Sequence, residues 1–258
     1  MRNITTFVVS AAAVASAFAG STASTTALDV SAGYHSSYIF RGIDFASEEN
    51  SFADFGIDVS GECDCGLGWY AGLWNGRTSN GSAYNEMDVY AGVTKDLGFA
   101  SIDFGAVTYT YDQDSVDGAT ALAVTADDTL GARLQNDSEI YLGLSTSAFG
   151  VDFGSTTYFG TGGDWKNGVW QQFTAGYGVD LNDTTSLGLE LGAGFAYGQA
   201  GYGADVDGLA SLSATVSLDK ALSDDMGLGV YVSNIQNNEA WAGGADYTVA
   251  GVALSFSL

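Results

Sequence analysis

The stretch Thr248-Val249-Ala250-Gly251-Val252-Ala253-Leu254-Ser255-Phe256-Ser257-Leu258 alternates between apolar and small residues along its length. One set of alternate positions holds Ala250, Val252, Leu254, Phe256 and Leu258, and the other holds Gly251, Ala253, Ser255 and Ser257. In a β-strand these two sets face opposite sides of the sheet. An apolar face toward lipid and a small polar face toward water are typical of a transmembrane β-barrel. The stretch therefore predicts a membrane strand at the end of the chain.

The first residues have the pattern of a secretory signal peptide. A positive start at Met1-Arg2-Asn3 precedes an apolar run over residues 4–18, and Ala17-Phe18-Ala19 is an A-x-A cleavage site. The run is too short for a spanning helix, and no later apolar run reaches about 18 residues. We expect residues 1–19 to be removed on export and residues 20–258 to form one barrel domain. In lipid the barrel must be closed, because an open sheet edge leaves hydrogen-bonding groups unsatisfied.

The same alternation of apolar with small or polar residues recurs along the chain, and short connections between these stretches alternate with long ones. This pattern predicts an all-β fold, an antiparallel up-and-down transmembrane barrel of about twelve strands with both termini at the periplasmic rim. The first strand is expected to continue from Leu28 through Tyr38 and Phe40, with both of these rings facing lipid. The alternative is a soluble, secreted all-β protein, but its polar face would carry fewer glycines.

The composition supports a solvated acidic barrel. The chain has 36 Gly, no Pro, and 7 Lys and Arg against 31 Asp and Glu, which gives a net charge of −24. Loss of Arg2 with the signal peptide makes the mature chain one unit more negative. This charge excludes a general nucleic-acid binder, which needs a basic surface.

Several motifs carry a family resemblance. Ser37-Tyr38-Ile39-Phe40-Arg41-Gly42-Ile43 resembles the Ser-x-Tyr-x-Phe-Arg-Gly-Ile start of the TorF-type porins, also known as the Gcw_chp conserved bacterial domain. The stretches at residues 68–75, 86–92, 109–111 and 139–145 resemble later parts of that family in the same order. The departures are a missing Pro after Tyr109-Thr110-Tyr111 and Leu258 in place of a terminal aromatic residue. The resemblance implies a Gram-negative outer-membrane barrel of the porin type and no particular substrate.

Charged residues on the inward parity are the candidates for lining a pore. They are Arg41, Asp54, Asp58, Glu86, Asp88, Asp103, Glu139, Asp152 and Glu190. Acidic rings favour cations, although some carboxylates could instead share protons or pair with the few bases. Arg41 either narrows the pore by pairing with Glu86, Asp88 or Glu139, or braces the wall through a structural salt bridge.

Other residues suggest assembly and local roles. Gly251, Leu254 and Phe256 resemble the terminal signal that the barrel assembly machinery reads, displaced inward by two residues. Cys63 and Cys65 are expected to form a turn disulfide rather than free thiols in an oxidising compartment, and no metal site or cofactor is expected. Acidic pairs at 112–114, 127–128 and 205–207 are more typical of solvated loops than of calcium sites.

Three classes of function are consistent with the sequence. The first is an outer-membrane porin for small cationic or neutral solutes, with lipids and solutes as its partners and no nucleic acid. The second is a structural or adhesive barrel with a plugged lumen. The third is an outer-membrane hydrolase, for which His35 beside Ser36 and Ser37 is the only histidine; neighbouring residues on a strand point to opposite faces and are poorly placed to form a dyad. The solute and the oligomeric state stay open.

Overall fold

The computed structural model of the protein describes residues 26–46, 50–79, 84–112, 134–198 and 207–258. The expected signal peptide lies outside these residues, as do Asp114, Asp127, Asp128 and Asp205 of the acidic pairs. Within the described residues, no helix is long and apolar enough to span a membrane.

Strands make up most of the described chain. They are β1 (Ala27–His35), β2 (Ile39–Phe40), β3 (Ile43–Asp44), β4 (Phe52–Glu62), β5 (Gly68–Thr78), β6 (Asn85–Asp96), β7 (Ser101–Asp112), β8 (Leu134–Ala148), β9 (Val151–Gly162), β10 (Val169–Asn182), β11 (Thr185–Tyr197), β12 (Gly208–Ala221), β13 (Met226–Asn237) and β14 (Tyr247–Ser257). Two single turns of 3-10 helix, Gly163–Trp165 and Ala242–Gly244, lie in the connections after β9 and β13.

Strand β1 and strands β4 to β14 form a closed antiparallel barrel of twelve strands in the described chain. The ring closes where β1 pairs with β14, at Val30 opposite Phe256, and with β4, at Val30 opposite Ile57. Within the described residues, strands β2 and β3 pair with each other and with no strand of the barrel. The predicted antiparallel twelve-strand barrel is confirmed.

The period-two alternation separates the two faces of the wall. The outer face is mainly apolar, as on β14, where Val252, Leu254 and Phe256 are exposed by 38%, 37% and 38%. The inner face carries acids, tyrosines, small hydroxyl residues and glycines. An outer apolar band with a polar interior is the arrangement that a barrel needs in a bilayer.

Inner glycines make room for tyrosine rings on the neighbouring strand. Tyr70 lies opposite Gly92, and Tyr141 lies opposite Gly105. A Cβ atom added at either glycine would overlap the facing ring. The glycines of β6 and β7 therefore let aromatic side chains lie flat against the wall, instead of only widening the lumen.

The prediction for the end of the first strand is wrong. Strand β1 ends at His35, and Tyr38 and Phe40 are 6% and 4% exposed inside the barrel rather than facing lipid. The cause is a two-residue turn, in which Arg41 and Gly42 have φ of 51° and 82° and join β2 to β3. Positive φ at both central residues is the geometry of a type I′ hairpin turn. Arg41 consequently lies at the tip of a hairpin and not on a barrel strand.

Candidate functional site

Residues 36–46 form a hairpin that crosses the inside of the barrel, and we call it the lumenal hairpin. It leaves β1 at the end of the barrel where Phe52 begins β4. Its tip contacts side chains of β8, β9 and β10. Because β9 is six strands from β1 in either direction around the ring, the hairpin reaches the opposite wall.

Aromatic stacking holds the base of the lumenal hairpin. The ring of Tyr38 lies 4.3 Å from that of Phe52 with the planes 8° apart, and 5.6 Å from Trp74 and 5.8 Å from Tyr84. Phe52 is 1% exposed. Aromatic pairs at these separations add to the free energy of apolar burial.

An ion pair holds the tip. Arg41 Nη1 and Nη2 donate to the two carboxylate oxygens of Glu139 at 2.9 and 2.7 Å, and both side chains are 3% exposed. The Tyr109 hydroxyl also donates to Glu139 Oε2 at 2.9 Å. Two parallel, charge-assisted hydrogen bonds give this contact both strength and orientation.

Four aromatic rings surround the Arg41 guanidinium. Its central carbon lies 4.8 Å from the ring centroid of Phe40, 4.9 Å from Tyr158, 4.9 Å from Trp165 and 5.3 Å from Trp170. Cations within about 6 Å of a ring centroid are attracted by the electron-rich face. The buried charge is therefore balanced by one carboxylate and by the surrounding rings.

The backbone of the turn is anchored to the end of β13 and to the connection that follows it. Trp241 Nε1 donates to the Arg41 carbonyl at 2.7 Å, and Asn237 Nδ2 donates to the Gly42 carbonyl at 2.6 Å. A Cβ atom at Gly42 would overlap the Asn237 side chain, and φ there is 82°. Glycine is thus required at this position both by the turn and by the close approach of Asn237.

Tyrosines hydrogen-bond several of the predicted acidic residues. Tyr70 donates to Asp103 at 2.8 Å, Tyr90 donates to Asp58 at 2.5 Å and Tyr84 donates to Glu86 at 3.0 Å. Asp88 Oδ1 and Asp103 Oδ2 are buried without a hydrogen-bond partner. All eight predicted acids lie on the inward parity of their strands, namely Asp54, Asp58, Glu86, Asp88, Asp103, Glu139, Asp152 and Glu190.

The predicted acids do not form one ring. Glu86, Asp88 and Glu139 lie at the level of the hairpin, whereas Asp152 is exposed near the turn between β8 and β9, where Ser147 donates to it. Glu190 is half-buried on β11. Among the described residues, no group of three or more His, Cys, Asp or Glu lies close enough to hold a metal ion.

His35 is engaged by residues other than the neighbouring serines. Its Nε2 lies 2.5 Å from Asp54 Oδ2, and its Nδ1 lies 2.9 Å from the Tyr231 hydroxyl. Ser36 accepts a hydrogen bond from the Ala250 amide, and Ser37 donates to Asp44. The serine–histidine dyad that a hydrolase would need is therefore not formed by these residues.

The remaining sequence candidates lie at the opposite end and along the closing strand. Cys63 and Cys65 form a disulfide in the turn between β4 and β5. On β14, Gly251 faces inward, and Leu254 and Phe256 face outward.

Sequence reasoning missed the aromatic residues around Arg41. Tyr158, Trp165 and Trp170 come from β9, the following turn and β10, and alternation places Tyr158 and Trp170 on the inner face without saying what they meet there. The only local signal for the hairpin is Gly42, which follows Arg41 between Ile39-Phe40 and Ile43-Asp44. Glycine there allows a tight turn but does not show that the turn folds inward.

The fold is similar to that of solved porins at low sequence identity. The match covers 90% of this chain and 99% of the KdgM porin at a TM-score of 0.50, and 90% of this chain and 100% of the NanC porin at a TM-score of 0.52, with 13% identity in both. A structure described as KdgM porin in complex with disordered oligogalacturonate matches with the same identity, coverage and TM-score as the first. At this identity the likeness establishes the barrel fold.

Comparison with curated proteins finds no match. A family model described as a bacterial protein of unknown function (Gcw_chp) matches residues 19–188. This segment includes the lumenal hairpin, Glu139, Trp165 and Trp170, and it takes in the motifs that resemble the family in sequence. Since the match extends over well more than half of the sequence, the chain belongs to the Gcw_chp family.

Proposed function

We propose that the protein is an outer-membrane porin that admits small cationic or neutral solutes through an acidic lumen. The observation that carries the proposal is the charge of the inner wall. All eight predicted carboxylates lie on the inward parity. Within the described residues, Arg41 is the only Lys or Arg side chain inside the barrel. Lys95 donates to carbonyls of the turn between β4 and β5, and the other three, Arg77, Lys166 and Lys220, are exposed. Excess negative charge in a narrow pore concentrates cations and repels anions.

Other features support a location of this channel in the outer membrane. The apolar outer face matches a bilayer, and the signal-peptide pattern of residues 1–19 fits export to the outer membrane with both termini at the periplasmic rim. In this orientation the lumenal hairpin narrows the extracellular end. The TorF-type motif around Arg41 and Gly42 belongs to this hairpin, which agrees with a porin of that type.

A second candidate is a structural barrel with a closed lumen. It is favoured by the hairpin itself, because Arg41 bonds to the wall opposite the strand from which the hairpin departs. The two candidates differ in whether ions pass.

Planar-bilayer recording of the refolded mature chain tests the proposal. In a potassium chloride gradient the reversal potential should have the cation-selective sign, and the preference should strengthen at low salt, where the Debye length approaches about 30 Å. Glu86→Gln combined with Asp88→Asn should lower the preference, whereas Asp183→Asn, in the exposed turn between β10 and β11, should leave it unchanged. An anion-selective sign contradicts the proposal. Absence of conductance in both the wild type and a variant with a loosened hairpin favours the structural barrel.

A further inference from the structure

We infer that the wall facing the hairpin tip is a binding site for a small organic cation with a guanidinium group, and that Arg41 occupies this site as a tethered ligand. The inference deepens the proposed function, on which it rests for the supply of cationic solutes to the lumen. It names the class of solute for which the channel is built.

The receptor groups belong to the barrel and not to the hairpin. Glu139 lies on β8, Tyr158 on β9, Trp165 in the turn after β9 and Trp170 at the start of β10. A carboxylate with two oxygens in line with a guanidinium fork, flanked by several aromatic faces, is the arrangement that recognises organic cations. Without Arg41, the same groups would face an empty space shaped for a guanidinium ion.

Contacts that do not involve Arg41 hold this wall in place. The Tyr109 hydroxyl fixes Glu139, and the amides of Asp164 and Trp165 donate to Asp137 Oδ1 at 2.5 and 3.3 Å. Trp170 Nε1 donates to Gln172 at 3.1 Å. The receptor is therefore preorganised and should keep its shape when the hairpin leaves, which lowers the entropy lost on binding a ligand.

Room for one receptor ring comes from a glycine. Trp170 lies against Gly194 on β11, where an added Cβ would overlap the indole. The ring is thereby set back into the wall, which leaves space for a cation on its lumenal face.

The tethered ligand is held in an uncommon backbone conformation. Arg41 has φ of 51°, a left-handed value that residues with a Cβ seldom adopt. This strain weakens the binding of Arg41 to the receptor groups. The attachment of the hairpin to β1 acts in the opposite direction, because it raises the local concentration of the guanidinium group near Glu139. A free guanidinium compound would compete with Arg41 for Glu139 and leave the hairpin tip held only by the hydrogen bonds from Trp241 and Asn237. Entry of the solute would thus be coupled to opening of the constriction.

Calorimetric titration of detergent-folded barrels with agmatine tests the site directly. Arg41→Ala vacates the receptor and should bind agmatine at least about tenfold more tightly than the wild type, because the tethered competitor is gone. Adding Glu139→Gln to Arg41→Ala should weaken agmatine binding by about tenfold or more, since hydrogen bonds to a charged group are lost. Arg77→Ala, which removes an exposed arginine, should bind like the wild type.

A folded Arg41→Ala barrel that fails to bind agmatine, or binds it equally well with and without Glu139, overturns the inference. If Arg41→Ala does not fold, hydrogen exchange of the wild-type protein tests the inference instead. The amide of Phe45, which donates to the Tyr38 carbonyl at 2.9 Å, should exchange faster with agmatine than with sodium chloride of equal ionic strength, and equal rates refute the inference. If the barrel binds agmatine as expected but never conducts ions, the proposed channel function is wrong and the inferred binding site stands.

Discussion

The Tyr38 ring lies 4.3 Å from the Phe52 ring, with an 8° angle between their planes, and this contact joins the lumenal hairpin to the first residue of β4. Tyr38 lies in the connection between β1 and β4, and Phe52 is the residue at which β4 begins. The stack therefore fixes the hairpin where it enters the barrel, and the Arg41–Glu139 pair fixes it where it ends.

Phe52→Ala should loosen the base of the hairpin. Phe52 is 1% exposed, and replacing a buried Phe by Ala lowers the free energy of unfolding by about 3–5 kcal/mol in well-packed cores. Hydrogen exchange at the Phe45 amide should become faster, and urea unfolding of the detergent-folded barrel should shift to lower concentration.

Phe55→Ala is the matched control for this change. Phe55 lies on the same strand but on the outer face, where it is 42% exposed. Its loss should leave exchange in the hairpin unchanged. Similar acceleration of hairpin exchange in both variants would mean that Tyr38 does not depend on Phe52.

A double-mutant cycle should reveal strong coupling between Arg41 and Glu139. Either single change, Arg41→Met or Glu139→Gln, leaves the other partner buried without its counter-charge, and breaking a buried pair destabilises by about 3–5 kcal/mol. The double variant should lose less than the two single losses added together. Urea is the denaturant to use, because guanidinium ions would compete for Glu139.

Arg77 and Asp96 give the comparison for this cycle, since both are exposed and they lie on different strands. The losses in free energy of unfolding caused by Arg77→Met and Asp96→Asn should add in the double variant. An additive result for Arg41 and Glu139 as well would show that the pair is not coupled.

Arg41→Ala should also raise the preference of the channel for cations. The change removes a positive charge from the lumen and uncovers the Glu139 carboxylate, which then faces the pore. Reversal potentials in a potassium chloride gradient should move further toward the potassium equilibrium potential. Single-channel conductance should rise because the large Arg41 side chain is removed and the hairpin tip is held less tightly. A shift toward chloride would contradict the role given to Glu139.

The barrel follows from the sequence because the direction of a side chain in a strand depends only on parity. Leu254 and Phe256 face outward for this reason, as predicted. The sequence around Tyr38 and Phe40 alternates in the same way as a barrel strand, but these two residues belong to the lumenal hairpin. The left-handed conformation of Arg41 is rare for arginine, so only Gly42 indicated a turn, and no local pattern showed that it folds inward.

The sequence limits the acidic partner of Arg41 to Glu86, Asp88 or Glu139 but does not show which of the three it is. Glu86 and Asp88 are closer to Arg41 in sequence than Glu139 is. Glu139 is selected because the hairpin reaches across the ring to β8. Trp165 and Trp170 were missed because contacts across a lumen depend on closure of the whole barrel, which alternation within single strands does not encode.

Phe256→Asp should reduce the amount of protein in the outer membrane. Phe256 lies on the outer face of the closing strand, opposite Val30 of β1 and Met226 of β13. A charge on the lipid-facing side destabilises a barrel by about 2–4 kcal/mol for a basic residue at the midplane, and by less for Asp or nearer the interface. Ser255→Asp places the same charge one residue earlier on the polar inner face, opposite Ser31 and Gly227, and should assemble normally. Quantitative blotting of outer-membrane fractions compares the two variants. Equal loss of both would indicate that the chemistry of the terminal segment, and not the face that Phe256 occupies, controls assembly.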